Sequence, residues 1–329
     1  MALRQRPSIA ILGCGAIAAH HSRTLAKCAP EVPRFYASRD PRRAEAYRRK
    51  FRGDWAFGSY EEAIGDERVD AVLVVTPPDQ HLPLALAALG SGKDVIVEKP
   101  PFLSSAEFQA AREACERFGR RLFVAENYFY RPFARRLREL LAAEVVGEVL
   151  LVQVNALKTQ STGDWRDDPA QAGGGALFEG GIHWVNFLAN LGMTVESVAG
   201  HRPRPIGALD RTMVVVFEYA EGAVATLQYS WEAPVWFRGL SWSRIVGRRG
   251  VITFETNGAV ILVNGTRKRL VFPGFSDIAG YRRMFRDFVG AMRTGEEAEL
   301  TVDMAERDLR LVEEACLSAE SSGPREVEG

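Results

Sequence analysis

The chain has 329 residues, which is long for a single hydrophobic core, so two domains are expected. Hydrophobic residues make up 47% and charged residues 26%, which is the balance of a globular protein. Lys plus Arg and Asp plus Glu number 42 each, so the charge gives no sign of a polyanionic partner and we expect no nucleic-acid binding.

The cysteines and the N-terminus point to one cell compartment. Cys14, Cys28, Cys115 and Cys316 contain no Cys-x-x-Cys pair, so we expect reduced thiols and neither a zinc site nor a disulfide framework. The N-terminus lacks the apolar core of a signal peptide, and no apolar run reaches the roughly 20 residues of a membrane helix. We therefore predict a cytoplasmic protein without a metal or a membrane partner.

The first predicted elements form a nucleotide-binding pattern. The apolar run 8–12 enters Gly13-Cys14-Gly15-Ala16-Ile17-Ala18, and a helical stretch follows to about Cys28. Strand, glycine turn and helix give the G-x-G-x-x-A fingerprint of dinucleotide binding. Gly13 permits the tight turn, and Gly15 lets the backbone approach a pyrophosphate. The phosphates would meet free N–H groups at the helix start, Ala16 and Ile17.

The end of the second predicted strand, 34–37, indicates which nicotinamide cofactor is used. An NAD site usually has an acidic residue here for the ribose hydroxyls, whereas this chain has Ser38 followed by Arg39. A hydroxyl and a guanidinium suit a 2′-phosphate, so NADP is favoured over NAD. Asp40 is the competing ribose ligand, although its place before Pro41 is typical of a helix N-cap.

The remaining elements divide the chain. Predicted strands at 71–75, 95–97 and 121–125 alternate with helices at 82–89 and 104–118, which indicates a parallel, doubly wound Rossmann sheet over residues 1–126. Seven predicted strands between 149 and 272, separated by short turns, indicate a large, mostly antiparallel open sheet in an α+β domain over residues 127–300. A C-terminal helix over 301–320 is expected to pack back on the first domain, followed by a polar tail, 321–329.

The stretch from Asp94 to Pro101 places charged groups at a strand end. Val95–Val97 must stop at the two prolines, so Glu98 and Lys99 lie at the carboxyl end of a buried strand. Open α/β sheets bind their ligands at that edge. Taken alone, a lysine at a strand end is more often paired with surface carboxylates.

A second motif follows the triple glycine at 173–175. If the next residues are helical, Glu179 and His183 are four apart and share one face, which Asn186 extends. A carboxylate one turn from an imidazole fixes its tautomer and raises its basicity. Gly180 and Gly181 weaken a helix, and this cost suggests close approach of a ligand or of backbone.

Together these motifs make the chain resemble the Gfo/Idh/MocA oxidoreductase family, named for glucose–fructose oxidoreductase and inositol dehydrogenase. The likeness covers essentially the whole chain. Its sequence elements, in order, are Gly13-Cys14-Gly15, Thr76-Pro77 with His81, Glu98-Lys99-Pro100 and the G-G-G-x-L-x-x-x-G-x-H run that ends at His183.

The resemblance implies a nicotinamide cofactor and hydride transfer at a sugar, inositol or related polyol. It makes Lys99 the lysine near nicotinamide and substrate, and His183 the acid/base residue, with Glu179 orienting His183. The cofactor-binding residues are then expected to be Gly13, Gly15, Ala16, Ile17, Ser38, Arg39, Thr76, Pro77, His81, Glu98, Lys99 and Asn127. The substrate-binding residues are expected to be Lys99, Tyr128, Trp165, Arg166, Glu179, His183 and Asn186.

Two positions depart from the family pattern. Glu179 and Asn186 both stand where the family usually has aspartate. These two differences weaken the inference of any particular substrate from the family. These departures leave two alternatives open: a non-catalytic NAD(P)-binding regulator on the same fold, and an enzyme that cleaves glycosides while recycling NAD.

The late strands predict association of subunits. They carry apolar residues on alternate positions (Val214, Val216, Val224, Leu227 and Tyr229), with Trp231, Trp236 and Trp242 nearby. One sheet face would pack on the domain's own helices and the other on a second subunit. A homo-oligomer, either a dimer or a tetramer, is therefore expected.

Overall fold

The computed structural model describes residues 6–203, 209–235 and 240–321. The first strands are β1 (Ile9–Leu12), β2 (Arg34–Ala37), β3 (Trp55–Phe57), β4 (Ala71–Val74), β5 (Asp94–Glu98) and β6 (Leu122–Ala125). They alternate with α1 (Ala16–Cys28), α2 (Pro41–Phe51), α3 (Tyr60–Gly65), α4 (His81–Gly90) and α5 (Glu107–Phe118).

The later strands are β7 (Val149–Leu157), β8 (Val195–His201), β9 (Thr212–Tyr219), β10 (Val224–Ser230), β11 (Trp242–Gly247), β12 (Gly250–Glu255), β13 (Ile261–Asn264) and β14 (Lys268–Val271). The later helices are α6 (Pro132–Ala142), α7 (Pro169–Ala172), α8 (Ile182–Ala189), α9 (Tyr281–Thr294) and α10 (Val302–Ser321).

The chain divides into two compact units. The first comprises Met1–Asn127 and Gly280–Glu306, and the second Tyr128–Ala279 and Arg307–Gly329. The predicted boundaries were therefore partly wrong, because residues 280–300 cluster with the first unit. Most of α10 belongs to the second unit, where a Cβ at Gly200 of β8 would overlap the Ala315 carbonyl. This close packing explains why α10 does not belong wholly to the first unit.

The first unit contains a parallel sheet in the order β3-β2-β1-β4-β5-β6. Every residue of β1, β4 and β5 is buried, as expected for strands covered on both faces. The strand order reverses between β1 and β4, and ligands of such sheets bind at the carboxyl ends next to this reversal. The glycine turn follows β1, and Thr76 lies just beyond β4.

The second unit contains an eight-stranded sheet in the order β14-β13-β12-β11-β7-β10-β9-β8. The pair β7–β10 is parallel and the other neighbouring pairs are antiparallel. Side chains alternate between the two faces: in β9, Met213, Val215 and Phe217 are buried while Val214 and Glu218 are exposed. The predicted fold class, a Rossmann sheet plus a large, mostly antiparallel sheet, is confirmed.

Two further features of the described ranges concern the cysteines and the helices. The four cysteines form no disulfide. No helix in these ranges has the length and apolar character needed to cross a membrane.

Candidate active site

The glycine turn after β1 has the geometry that its sequence requires. Gly13 has a φ of 113°, and a Cβ there would lie 3.1 Å from the Val75 carbonyl oxygen. Any other residue would be both strained and crowded at this position. The Gly13 amide donates to the Ala37 carbonyl at 3.0 Å, which ties the turn to the end of β2.

The start of α1 has the features of an anion site. Gly15 is the N-cap of α1 and no side chain caps the helix, so its first N–H groups are left to another acceptor. A Cβ at Gly15 would have nothing within 4 Å, which leaves room for a group to approach the backbone closely. The Tyr47 hydroxyl donates to the Gly15 carbonyl at 2.9 Å and holds the turn in place. These features fit the pyrophosphate of a dinucleotide.

The end of β2 separates the two residues that compete for the ribose. Asp40 is the N-cap of α2, with Pro41 at the first helical position, and its carboxylate accepts from the Arg42 amide at 3.0 Å. Ser38 is buried, and its hydroxyl accepts from the Asp40 amide at 3.2 Å. Arg39 is exposed and lies beside Tyr60, whose pKa is raised by burial against the opposing effect of Arg39.

His81 joins two loops of the first unit. Its Nδ1 lies 2.9 Å from the Pro100 carbonyl and its Nε2 lies 2.9 Å from the Thr76 carbonyl. The ring is 1% exposed, and burial lowers its pKa more than these carbonyls raise it. His81 thereby positions both loops, and its predicted contact with the cofactor stays a prediction. The buried Thr76 hydroxyl has no partner among the described residues, so it remains available to a ligand.

Lys99 follows a buried hydrogen-bonded pair that the sequence analysis missed. Glu98 is 5% exposed; its Oε1 lies 2.6 Å from Nε2 of His21, and its Oε2 accepts from the Lys99 amide at 2.9 Å. Lys99 itself is half-buried and its peptide bond to Pro100 is cis. The adjacent pair His20-His21 was visible in the sequence, but no pattern linked it to a residue 77 positions away.

The second motif begins as a π-helical turn, Leu177–Gly181, and continues as α8. This differs from the predicted regular helix, and π-turns are frequent at functional sites. A Cβ at Gly180 would overlap the Tyr229 hydroxyl, and one at Gly181 would lie 2.7 Å from Leu177. The expectation that a ligand or backbone approaches these glycines was therefore wrong, because side chains of the second unit fill that space.

Glu179 is held by a basic loop residue. Its Oε1 accepts from Nε of Arg166 at 3.2 Å, and Arg166 also donates to Asp164 at 2.6 Å. The Arg166 guanidinium lies 4.3 Å from the centroid of the Trp165 ring. Three of the predicted substrate residues, Glu179, Arg166 and Trp165, are thus in one cluster, and Glu179 is buried within it.

His183 packs against another predicted residue. Its ring stacks on Tyr128 with centroids 4.2 Å apart and planes 9° apart. The Arg131 guanidinium lies 4.4 Å from the Tyr128 centroid, and it donates to the carbonyls of Ile278 and Asn257. Arg131 therefore anchors Tyr128, and Tyr128 in turn fixes the plane of the half-buried imidazole.

Asn186 lies in a buried polar network. Its side chain is 1% exposed and its amide donates to Oδ2 of Asp308 at 2.6 Å. Arg307 donates to the other oxygen of Asp308 at 2.7 Å. An aspartate at 186 would place two carboxylates in contact, so Asp308 explains why this chain departs from the family pattern. The predicted substrate contact of Asn186 is not supported by this burial and stays untested.

Asn127 is also buried, and it ends the first of the two segments that make up the first unit. Across the described part of the chain, no cluster of three or more His, Cys, Asp or Glu side chains could hold a metal ion.

Sequence comparison defines the class of protein. Residues 8–126 match the profile described as "Oxidoreductase family, NAD-binding Rossmann fold", and residues 134–253 match the "GFO/IDH/MocA C-terminal domain". The chain belongs to the Gfo/Idh/MocA family. The predictions of this family and of a nicotinamide-dependent oxidoreductase are therefore confirmed.

Three relatives illustrate the likeness. "D-xylose 1-dehydrogenase (NADP(+)) 2" of Haloferax volcanii is 29% identical over 89% of this chain and 91% of its own. "Trans-1,2-dihydrobenzene-1,2-diol dehydrogenase" of Sus scrofa is 33% identical over 56% of each chain. The crystal structure of GenD2 from gentamicin A biosynthesis, in complex with NAD, is 27% identical with a TM-score of 0.84, and the match covers 98% of this chain and 96% of that one.

The burial of His81 predicts a pH dependence of stability. Its pKa is lower in the folded chain than the usual value of about 6.5, so its contribution is present above that pH and is lost as the pH falls below it. The free energy of unfolding should therefore fall more steeply on acidification in the wild type than in His81→Gln. The difference between the two slopes should be up to about 1.4 kcal/mol per pH unit. Urea unfolding over that range measures this difference, and equal slopes for both proteins would contradict it.

Proposed function

We propose that this protein catalyses the reversible, NADP-dependent oxidation of a secondary alcohol on a sugar or related ring polyol. The observation that carries the proposal is the fixed placement of two proton-handling groups within a family of oxidoreductases. Lys99 follows the buried Glu98 at the end of β5. His183 begins α8 beside the π-turn, with its ring plane set by Tyr128.

The proposed mechanism gives Lys99 and His183 separate roles in the oxidation of the substrate. The glycine turn after β1 and the start of α1 would hold the nicotinamide cofactor, which when bound would supply the acceptor for the carbinol hydride. His183 acts as the general base that takes the hydroxyl proton. Lys99 donates a hydrogen bond to the oxygen as its negative charge develops, which is the kind of electrostatic stabilisation that usually contributes most.

Other residues of the second unit have supporting roles in this proposal. Glu179, buried and held by Arg166, orients His183. Tyr128 and Trp165 offer flat apolar rings, and such surfaces pack well against the faces of cyclic substrates. Arg166 supplies hydrogen-bond donors to substrate hydroxyls beyond those it gives to Asp164 and Glu179.

The relatives narrow the proposed substrate. The compounds in two of their names, D-xylose and trans-1,2-dihydrobenzene-1,2-diol, share adjacent hydroxyls on a six-membered ring. We infer that this chain also acts on one hydroxyl of a ring-borne vicinal diol. Aldopyranoses and cyclic trans-diols are therefore the first substrates to test. The cytoplasmic location remains a prediction.

Substitution of the two proton-handling residues tests the proposed activity. Lys99→Ala and His183→Ala should each lower kcat by at least about 100-fold, because each removes a contact to the developing alkoxide or its proton. Initial rates of cofactor reduction with a panel of aldopyranoses and cyclic diols measure this. Lys50→Ala on α2 and His201→Ala on β8 are matched controls that should keep wild-type rates.

Full turnover in either active-site variant would contradict the assignment. Cofactor binding without turnover on any alcohol would instead indicate the regulator, and cleavage of aryl glycosides without net cofactor reduction would indicate the recycling enzyme.

The proposed preference for NADP rests on the residues at the end of β2. Ser38 has no carboxylate, and the carboxylate of Asp40 is already engaged as the cap of α2. Repulsion of a 2′-phosphate at this strand end is therefore weak. Arg39 is exposed, as are Arg42 and Arg43 in the first turn of α2. Charge-assisted hydrogen bonds from Arg39 would contribute roughly 1.5–3 kcal/mol, which is about a ten- to hundredfold preference.

Ser38→Asp tests this preference. The variant should bind NADP at least about tenfold more weakly, because its carboxylate repels the 2′-phosphate, while NAD binding holds or improves. Dissociation constants by calorimetry measure both. Ser38→Ala is the control, since it removes the bond from the Asp40 amide without adding charge. Tighter binding of NAD than of NADP by the wild type would contradict this preference and would indicate that Asp40 contacts the ribose.

The outer face of the second sheet is the proposed subunit interface. It carries exposed apolar side chains on neighbouring strands: Leu151, Val214, Trp242, Leu262 and Leu270. A basic residue on β14 (Lys268) and acidic residues on β8 and β9 (Glu196 and Glu218) would complement each other in a two-fold pair. Leu227, Tyr229 and Trp231 of the same predicted set are buried, and Trp236 lies outside the described residues.

Light scattering at micromolar concentration tests this interface. The wild type should be a dimer or tetramer, and Leu262→Glu should shift it towards monomer, because a charge would be buried at the interface. Leu317→Glu, on the exposed face of α10, is the control and should leave the mass unchanged. A monomeric wild type would contradict the proposal.

A further inference from the structure

The pair formed by His21 and Glu98 takes no direct part in the proposed proton and hydride transfers. His21 lies on α1, the helix that starts at the glycine turn, and it is 0% exposed. Glu98 is the last residue of β5. Their side chains meet at 2.6 Å between Nε2 and Oε1, a distance typical of the strongest hydrogen bonds to a carboxylate.

The carboxylate of Glu98 uses both oxygens inside the protein. One oxygen faces His21, and the other accepts from the Lys99 amide at 2.9 Å. A carboxylate accepts on both oxygens at once, which a neutral side-chain amide cannot do. Glu98 therefore joins α1 to the turn that carries Lys99.

The charges in this region account for the ionised state of Glu98. Burial raises the pKa of Glu98. The hydrogen bond from His21 and the nearby charges, including Lys99, lower this pKa by more than burial raises it, so it lies below its usual range. A buried carboxylate without such partners would be strongly destabilising. Glu98 thus remains negative beside Lys99.

His21 reaches Glu98 through its Nε2. Its Nδ1 is buried and has no hydrogen-bond partner among the described residues. The rings of Tyr281 and Phe285 on α9 approach it edge-on, with centroids 5.4 and 5.3 Å away. Among the described residues, Glu98 is therefore the hydrogen-bond partner of the His21 ring.

We propose that His21 and Glu98 form a positioning pair that fixes the backbone of Lys99 and holds a negative charge beside its ammonium group. His21 is therefore a positioning residue for the reaction, acting through Glu98, and this role rests on the proposed function of Lys99. Its loss should lower kcat more than it raises KM, because the pair matters most as charge develops on the substrate oxygen.

The first test reads Lys99 directly in the protein without cofactor. The chain has six lysines, so protein labelled with ¹⁵N-lysine gives few backbone amide signals, and Lys99→Arg identifies the signal of Lys99. In His21→Leu the exchange of the Lys99 amide with solvent should accelerate by about tenfold or more, since its acceptor is no longer held. In His21→Gln, whose amide can still donate to Glu98, exchange should stay close to that of the wild type.

The second test is kinetic. His21→Leu should lower kcat by about tenfold or more with a smaller change in KM, and His21→Gln should recover most of the loss. Glu98→Gln keeps the shape of the side chain but can accept from only one of the two donors, so it should also lower kcat. This variant replaces His21→Leu in the test if His21→Leu does not fold. His20→Gln is the matched control, because His20 is the exposed neighbour on the same helix, and it should behave as the wild type in both tests.

The outcomes separate this inference from the proposed function. Unchanged exchange at Lys99 in His21→Leu, or equal impairment in His21→Gln and His21→Leu, would overturn the positioning role even if Lys99→Ala is inactive. Accelerated exchange in His21→Leu together with full turnover of Lys99→Ala would retain the pair and overturn the proposed function.

Discussion

The first unit depends on a carboxylate that is buried at the end of a strand. β5 must stop where two prolines follow, and its last residue, Glu98, is 5% exposed. Such a charge is tolerated only with partners, so its contacts with His21 and with the Lys99 amide constrain both α1 and the following turn. His81 adds a second constraint by bridging that turn and the loop after β4. The glycine turn, Thr76 and Lys99 are therefore held at the same edge of one sheet.

In the second unit, side-chain packing around the π-turn positions the candidate catalytic residues. Gly180 and Gly181 let the π-turn lie directly against the buried Tyr229, because a Cβ at Gly180 would overlap the Tyr229 hydroxyl. The turn brings Glu179 to Arg166, while the first turn of α8 stacks His183 on Tyr128. Three residues later, Asn186 anchors α8 to Asp308 of α10. The helix that carries the imidazole is thus fixed at both of its ends.

The parts of the fold that local chemistry determines were predictable from the sequence. The φ of Gly13 and the cap formed by Asp40 follow from neighbouring residues, and so do most strands with clear alternation. β3 and α3 are too short to show a period, and β8 alternates poorly, so these were missed. His21 with Glu98 and Asn186 with Asp308 are 77 and 122 positions apart. No local pattern reports such contacts, which is why the reasons for Glu98 and Asn186 emerged only from the structure.

The most direct test of the central claim follows the hydrogen that leaves the substrate. The wild type is incubated with NADP and an aldopyranose or cyclic diol carrying deuterium on the carbon to be oxidised, and the reduced cofactor is analysed by mass spectrometry. Direct hydride transfer predicts one deuterium in the reduced nicotinamide and a slower rate than with the unlabelled substrate. Reduced cofactor without deuterium, or no reduced cofactor with any member of the panel, would contradict the account.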